Sequence, residues 1–151
     1  MRNASTISKS DSFTIQELSQ QSGLPEPTLR YYEKIGLIQP VPRDPSSGHR
    51  RYPATTVSVV NALACLRASG LSIEDMRTYL HLLEQGTQSA AQQKELFQTH
   101  ARELEREIEQ LQIRKQYLEE KVAYWDALER GDTEAAQHIT EEIHRIAAKL
   151  L

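Results

Sequence analysis

The sequence has only one cysteine, Cys65, in its 151 residues. A single cysteine excludes a disulfide within the chain and every zinc site that needs several cysteines from one chain. Glycine and proline are also scarce, and no apolar run approaches the roughly 20 residues that a membrane-spanning helix needs. No signal peptide is visible at the amino terminus. We therefore expect a cytoplasmic protein built mainly of helices.

Charge is unevenly distributed along the chain. The net charge is −3, yet five basic residues face two acidic ones between Thr28 and Tyr52, and acids outnumber bases after Gln85. A basic segment inside an acidic chain indicates a confined nucleic-acid interface. Residues 1–12 are mostly polar, and we predict that they form a disordered tail.

Two short helices are predicted at the start of the folded region. Thr14 and Glu17 have the spacing of a capping box, which predicts a helix from Ile15 that ends before Gly23. Residues 24–27 form a turn, and Pro27 suits the first turn of a second helix. Two short helices joined by a tight turn predict a helix-turn-helix, in which the second helix reads DNA.

The second helix carries polar and basic side chains that suit a DNA groove. A cation can meet phosphate or guanine, and a phenol can reach phosphate oxygens. An ordinary amphipathic surface helix would show a similar pattern, so this stretch alone leaves both interpretations open. The candidate DNA contacts on it are Thr28, Arg30, Tyr31 and Lys34.

A loop rich in proline, serine and glycine follows this helix. We predict that residues 37–38 and 51–52 form the strands of a hairpin, with residues 43–49 at its tip, which would make a wing. Basic and aromatic residues near the tip would meet a neighbouring phosphate strand; the alternative is a solvated loop. The candidate contacts are Arg43, His49, Arg50, Arg51 and Tyr52.

Two further helices complete the predicted head, residues 13–84. A third helix runs over residues 54–69 and is closed by Gly70. Ser72 and Asp75 repeat the capping-box spacing, which predicts a fourth helix to about Glu84. Residues 85–91 are predicted to be a linker.

A long helix over residues 92–130 is predicted next. Its apolar residues alternate in spacings of four and three, which is typical of a coiled coil. Lys115 falls on this seam, where a polar side chain can determine register or strand direction. One helix cannot bury such a seam, so we predict a homodimer. A short helix over residues 131–151 should follow. The seam consists of Phe97, Ala101, Leu104, Ile108, Leu111, Lys115, Leu118, Val122 and Trp125.

Four segments together resemble the MerR family of bacterial transcription regulators. They are residues 13–18 (FTIQEL), 28–33 (TLRYYE), 36–38 (GLI) and 47–52 (SGHRRY). His49 departs from the family, in which an aromatic residue is more usual at this position. The resemblance implies an all-α fold with a small β wing: a winged helix-turn-helix head, a long dimerising helix and a short carboxy-terminal helix.

The resemblance also implies a function. Family members form dimers through antiparallel pairing of the long helices and bind near-palindromic promoters whose spacer is too long. The activated dimer bends and undertwists that DNA so that RNA polymerase can use it, and polymerase is therefore affected indirectly. By position, Arg30 and Tyr31 of the second helix and Arg43, Arg50 and Tyr52 of the wing should hold DNA. Thr14 would meet phosphate through backbone N–H at a helix N-terminus.

The stretch around Cys65 resembles the AdhR/NmlR subgroup, whose members respond to aldehydes and other thiol-reactive electrophiles. In that subgroup a single cysteine at this position is implicated, which makes Cys65 the candidate sensor thiol. The alternative is a cysteine that only packs as a small hydrophobic side chain. Cysteines needed for metal or iron–sulfur sensing are absent, so we expect neither metal nor cofactor.

Two other classes of function are weighed against a regulator with a reactive cysteine. An architectural DNA-binding dimer would have the same fold and no chemical input. An enzyme would need a nucleophile with a base, a phosphate loop or a metal cluster, and the sequence shows none of these patterns. We therefore expect a DNA-binding regulator and not an enzyme.

Overall fold

The computed structural model describes residues 11–151, so the predicted tail up to residue 10 lies outside the described residues. The chain divides into two compact units, one up to Gln93 and one from Lys94 to Leu151. The described elements are mainly helices with one two-stranded antiparallel sheet. This confirms the fold class expected from the sequence.

The first two helices begin where their local signals predict. Helix α1 spans Ile15–Ser22, and Thr14 and Glu17 form both hydrogen bonds of the capping box. Gly23 ends α1 with φ +76°, a left-handed conformation that favours glycine. Helix α2 spans Glu26–Lys34 with Pro27 in its first turn, where the missing N–H costs nothing.

The strands differ from the predicted hairpin. Strand β1 (Ser12–Phe13) pairs antiparallel with β2 (Tyr52–Pro53), with Phe13 opposite Tyr52. Residues 37–38 form no strand; they lie in the turn after α2, with both side chains buried. The loop is closed instead by one bridge between Arg43 and Arg50. Ser12 is buried in β1, so the predicted tail extends too far.

The rest of the first unit packs around one small core. Helix α3 spans Ala54–Ala68 and α4 spans Ile73–Glu84, capped by Ser72 and Asp75 as predicted. The predicted linker is partly ordered, because Gly86–Ser89 forms a 3₁₀ turn and the long helix starts at Ala90. The largest fully buried side chains of this core are Leu18, Leu29, Ile38, Tyr52, Val60, Leu63 and Met76.

The second unit contains most of the long helix and the last helix. Helix α5 spans Ala90–Glu129, and α6 spans Thr133–Leu150 with Asp132 as its N-cap. Gly131 turns the chain between them with φ +73°. Ala127 of α5 and Ala136, Ile143 and Ile146 of α6 are the buried apolar residues of this unit.

The predicted seam of α5 is exposed to solvent over its whole length. Its large apolar side chains range from 37% exposed at Phe97 to 70% at Val122. Lys115 lies among them, with its Nζ 2.8 Å from the carboxylate of Glu119. That hydrogen bond and the negative charge of Glu119 raise the pKa of Lys115. A single chain therefore leaves the apolar surface of the seam exposed to water. Because burying such a surface is favourable, we expect another molecule to cover it.

Candidate DNA interface

An open cleft of about 520 Å³ lies between the start of α1, helix α2 and the loop that follows it. Six of the ten predicted DNA contacts line this cleft, which brings together side chains from three separate segments. Four predicted contacts, Thr28, Tyr31, Lys34 and Tyr52, do not line it. The six that do are Thr14, Arg30, Arg43, His49, Arg50 and Arg51.

Helix α2 presents one side to solvent and the other to the core. Leu29 and Tyr32 are buried, whereas Tyr31 is about half exposed. Arg30 is exposed and forms an ion pair with Glu26 at 3.1 Å, one turn earlier in the helix. Such an exposed pair is weak, with a typical stability of about 0.3–0.5 kcal/mol. Arg30 can therefore leave Glu26 for a phosphate at little cost.

Asp44 holds the shape of the loop. Its Oδ1 accepts hydrogen bonds from the backbone N–H groups of Ser46 and Ser47 at 2.9 and 3.0 Å. Gly48 then adopts φ +71°, and its carbonyl accepts a hydrogen bond from Arg43 at 3.1 Å. Most side chains cannot adopt this backbone conformation cheaply, which explains a glycine here. The loop is therefore a built turn that places Arg43 and His49 beside the cleft.

Two arginines of the loop are tied to the rest of the head. Arg50 donates from Nε to a carboxylate oxygen of Glu33 in α2 at 2.9 Å, and both side chains are mostly buried. Arg51 donates to the hydroxyl and the backbone carbonyl of Ser12 in β1 at 3.0 and 2.9 Å. Both residues line the cleft, but these bonds also give them a structural role that the sequence did not indicate.

Tyr52 was predicted to contact DNA, and the structure contradicts this prediction. Its side chain is fully buried, so its ring belongs to the core and cannot reach a phosphate. Burial raises the pKa of Tyr52, and the carboxylate of Glu33 acts in the same direction. Among the described residues the hydroxyl has no hydrogen-bond partner. An aromatic residue beside two arginines suggested a DNA contact, but its pairing with Phe13 turns it inward.

Thr14 lines the cleft, but its own N–H is already engaged. That N–H donates to Glu17 at 2.8 Å, and the Thr14 hydroxyl accepts from the N–H of Glu17 at 3.2 Å. A phosphate would have to replace Glu17 to bind the N–H of Thr14 itself, so the contact at this helix N-terminus stays a prediction. Gln16, in the first turn of α1, is an exposed lining residue that is not among the predicted contacts. Its position just after a recognised N-cap is the signal that could have indicated it.

Cys65, the predicted sensor thiol, is a free and exposed cysteine on α3. Its backbone carbonyl accepts hydrogen bonds from the N–H and the hydroxyl of Ser69, at 2.9 and 2.8 Å. Because it is exposed, Cys65 does not fill space in the core.

Residues 11–151 offer neither a metal site nor a membrane span. That part of the chain has no group of three or more His, Cys, Asp or Glu residues that could hold a metal ion. None of its helices combines the length and the apolarity that crossing a membrane requires.

Two family models match the chain. The model of MerR HTH family regulatory proteins matches residues 13–83, and the model described as MerR, DNA binding matches residues 60–121. The first match contains the whole cleft, and the second continues through most of the seam.

Individual relatives agree with these matches. The regulator HmrR of Rhizobium leguminosarum bv. viciae is 35% identical over 84% of this chain and 97% of its own length. AdhR of Bacillus subtilis is 38% identical over 54% of this chain and 58% of its own. The crystal structure of HiNmlR, described as a MerR family regulator that lacks the sensor domain and is bound to promoter DNA, is 26% identical. It covers 83% of this chain and 95% of its own, with a TM-score of 0.64.

Proposed function

This chain belongs to the MerR family of DNA-binding transcription regulators, and we propose that it works as a homodimer that distorts its promoter in response to thiol-reactive electrophiles. As a member of this family it is a regulator and not an enzyme. A regulator of promoter DNA should be found in the cytoplasm.

The exposed seam of α5 supports the homodimer more than any other feature. Its large apolar side chains are at least 37% exposed along the helix, from Phe97 to Trp125. A surface of this kind on a helix with coiled-coil spacing is buried when a second copy supplies the same surface. Antiparallel pairing then provides two heads per molecule for a near-palindromic operator.

The mode of action that we propose is distortion of the promoter. Each head would bind phosphates through the cleft, with Arg30 on α2 and Arg43 on the loop as its exposed cations. Contacts of the two heads would offset the few kcal/mol that bending and undertwisting a promoter with a long spacer costs. RNA polymerase would then recognise the realigned promoter elements, so it is a partner through DNA only. The solved relative HiNmlR, which is bound to promoter DNA, supports the promoter binding on which this mode depends.

The proposed input is Cys65. A thiolate is the nucleophile in such sensing, and it must be reached from solvent; Cys65 is exposed. With an aldehyde, the sulfur would form a bond to the carbonyl carbon while the carbonyl oxygen takes up a proton from water, which gives a hemithioacetal. The similarity of the chain to AdhR and to HiNmlR agrees with the subgroup that the stretch around Cys65 resembles.

In-vitro transcription from the promoter of the protein's own gene tests this function. The template should be transcribed with and without methylglyoxal or a nitrosothiol, by the wild type and by Cys65→Ser. We expect induction by the wild type only, with equal DNA binding by both proteins. A second variant, Cys65→Ser with Ser58→Cys, carries an exposed thiol elsewhere on α3, and we expect that it does not restore induction.

Other outcomes would favour other functions. Induction by both the wild type and Cys65→Ser would contradict the sensor role of Cys65. Binding and bending of DNA without induction in either protein would favour the architectural alternative. A parallel reaction with copper or zinc salts separates metal induction from thiol chemistry.

A further inference from the structure

The spacing of the seam residues of α5 and the charges beside them favour one alignment of the two helices. We propose that the copies pair antiparallel with Ile108 level with the partner's Leu111. The two-fold axis of the dimer then passes midway between the levels of Ile108 and Leu111. This register rests on the proposed homodimer, which it makes specific.

The alternating spacing of the seam restricts the choice of register. When the seam is reversed and laid against itself, spacings of four and three coincide only for certain alignments. In the proposed alignment Phe97 lies level with the partner's Val122, Ala101 with the partner's Leu118, and Leu104 with the partner's Lys115. Any other alignment that keeps seam against seam is shifted by whole heptads, because the pattern repeats every seven residues. Two neighbouring registers therefore compete.

The first competitor places Ile108 level with the partner's Leu104. In this register Leu118, Val122 and Trp125 extend past the start of the partner's seam, so the partner does not cover them. These side chains are 63–70% exposed in the single chain. It also puts Glu107 close to the partner's Glu107 across the edge of the seam. Less apolar surface is buried and like charges meet, so this register is disfavoured.

The second competitor places Ile108 level with the partner's Leu118. It buries nearly the whole seam, but it brings the two copies of Lys115 to within about 6 Å along the axis, at a rise of about 1.5 Å per residue. The two copies of Arg114 come within about 3 Å along the axis. Glu105 also comes close to the partner's Glu119. Counting both copies, these are four like-charge contacts. They outnumber the two opposite-charge contacts that Glu107 makes here with the partner's Lys121, so this register is disfavoured.

The proposed register avoids these conflicts. Glu107 and the partner's Arg114 lie on the same edge of the seam and only about 3 Å apart along the axis, so opposite charges meet twice in the dimer. Both side chains are exposed, and neither has an ion-pair partner within the described part of its own chain. The copies of Lys115 are about 16 Å apart along the axis. Trp125 faces the partner's Lys94, a suitable cation–π pair.

Disulfide trapping tests the register. One copy carries Ala101→Cys and the other, marked by a mass tag, carries Leu118→Cys, both in the Cys65→Ser chain. Leu111→Cys and Trp125→Cys are the matched controls, because the first and second competitors place these residues level with Ala101. We expect the Ala101–Leu118 pairing to oxidise at least roughly tenfold faster than the controls, because a disulfide needs Cα atoms within about 7 Å.

Each outcome has a distinct meaning. A faster reaction with either control, or a dimer that no pairing traps, would overturn the register and leave the homodimer intact. A monomer of the wild type by sedimentation would overturn the homodimer itself.

Charge reversal gives a second test in the wild-type seam. We expect Glu107→Arg to raise the dimer Kd roughly tenfold and the added change Arg114→Glu to restore it. Glu109→Arg, on the same helix but off the edge of the seam, is the control that should leave the Kd unchanged. An equal effect of Glu107→Arg and Glu109→Arg would contradict the register.

Discussion

Glu33 of α2 accepts a hydrogen bond from Nε of Arg50 at 2.9 Å, across 17 positions of the sequence. This pair connects the last residues of the loop to α2, the helix that we expect to read DNA. Both side chains are mostly buried, at 16% and 25% exposure. The geometry of the cleft therefore depends on a contact that itself need not touch DNA.

Removing the charge of Glu33 should destabilise the head. We expect Glu33→Gln to lower the free energy of unfolding by about 1–2 kcal/mol, because a charge-assisted hydrogen bond is weakened and Arg50 loses its partner. Urea denaturation measures this change. Glu26→Gln is the matched control, because it removes the charge from the more exposed ion pair between Glu26 and Arg30. It should lower the free energy of unfolding by less than about 0.5 kcal/mol. Equal effects of the two changes would show that the burial of the Glu33 pair is unimportant.

Arg30 should contribute to DNA affinity by neutralising phosphate. We expect Arg30→Ala to weaken binding to operator and unrelated DNA alike and to reduce the salt slope of log K by about 0.9 for each phosphate that Arg30 neutralises. Salt titrations of binding measure both effects. Arg145→Ala, on α6, removes an equal charge from the second unit and should leave the slope unchanged. Weaker binding to the operator alone would assign Arg30 to base reading instead.

Tyr52→Phe separates the core role of Tyr52 from the predicted DNA contact. The buried hydroxyl has no partner among the described residues, so removing it should change stability by less than about 1 kcal/mol near neutral pH. DNA affinity should not change. A clear decrease in affinity would restore Tyr52 to the interface.

The same variant should change the alkaline stability of the protein. The folded state raises the pKa of Tyr52 above the ordinary value of 10.0, so its stabilising contribution is complete below that pH and is lost as the pH rises beyond it. Denaturation at about pH 8 and about pH 11 should show a smaller alkaline decrease in stability for Tyr52→Phe than for the wild type. An equal alkaline decrease in Tyr52→Phe and the wild type would contradict this contribution of Tyr52.

The helices were predictable because their signals are local. Thr14 and Glu17, like Ser72 and Asp75, lie three residues apart, and both capping boxes form as their spacing predicts. Asp132 caps α6 through its side chain alone, which accepts a hydrogen bond from the N–H of Ala135 at 3.0 Å. Each of these motifs depends on neighbours in the sequence and hardly on the rest of the fold.

The strands and the arginine contacts were not predictable in this way. Ser12 and Phe13 are too few to show an alternating pattern, so nothing in the sequence indicated that they pair with Tyr52 and Pro53. The bonds of Arg50 and Arg51 also join residues that are far apart in the chain. A basic cluster in the sequence indicates positive charge that suits a nucleic acid. Tertiary contacts decide which of its arginines hold the head together and which are available to DNA.

The pairing of Phe13 with Tyr52 also has a consequence for folding. Its two strands are only two residues long and enclose α1, α2 and the loop between them. Closing a loop of this length costs conformational entropy, and the few hydrogen bonds of the sheet offset little of that cost. We therefore expect the sheet to form after the helices have packed. A newly made chain would then acquire its helices first and its ability to hold DNA last.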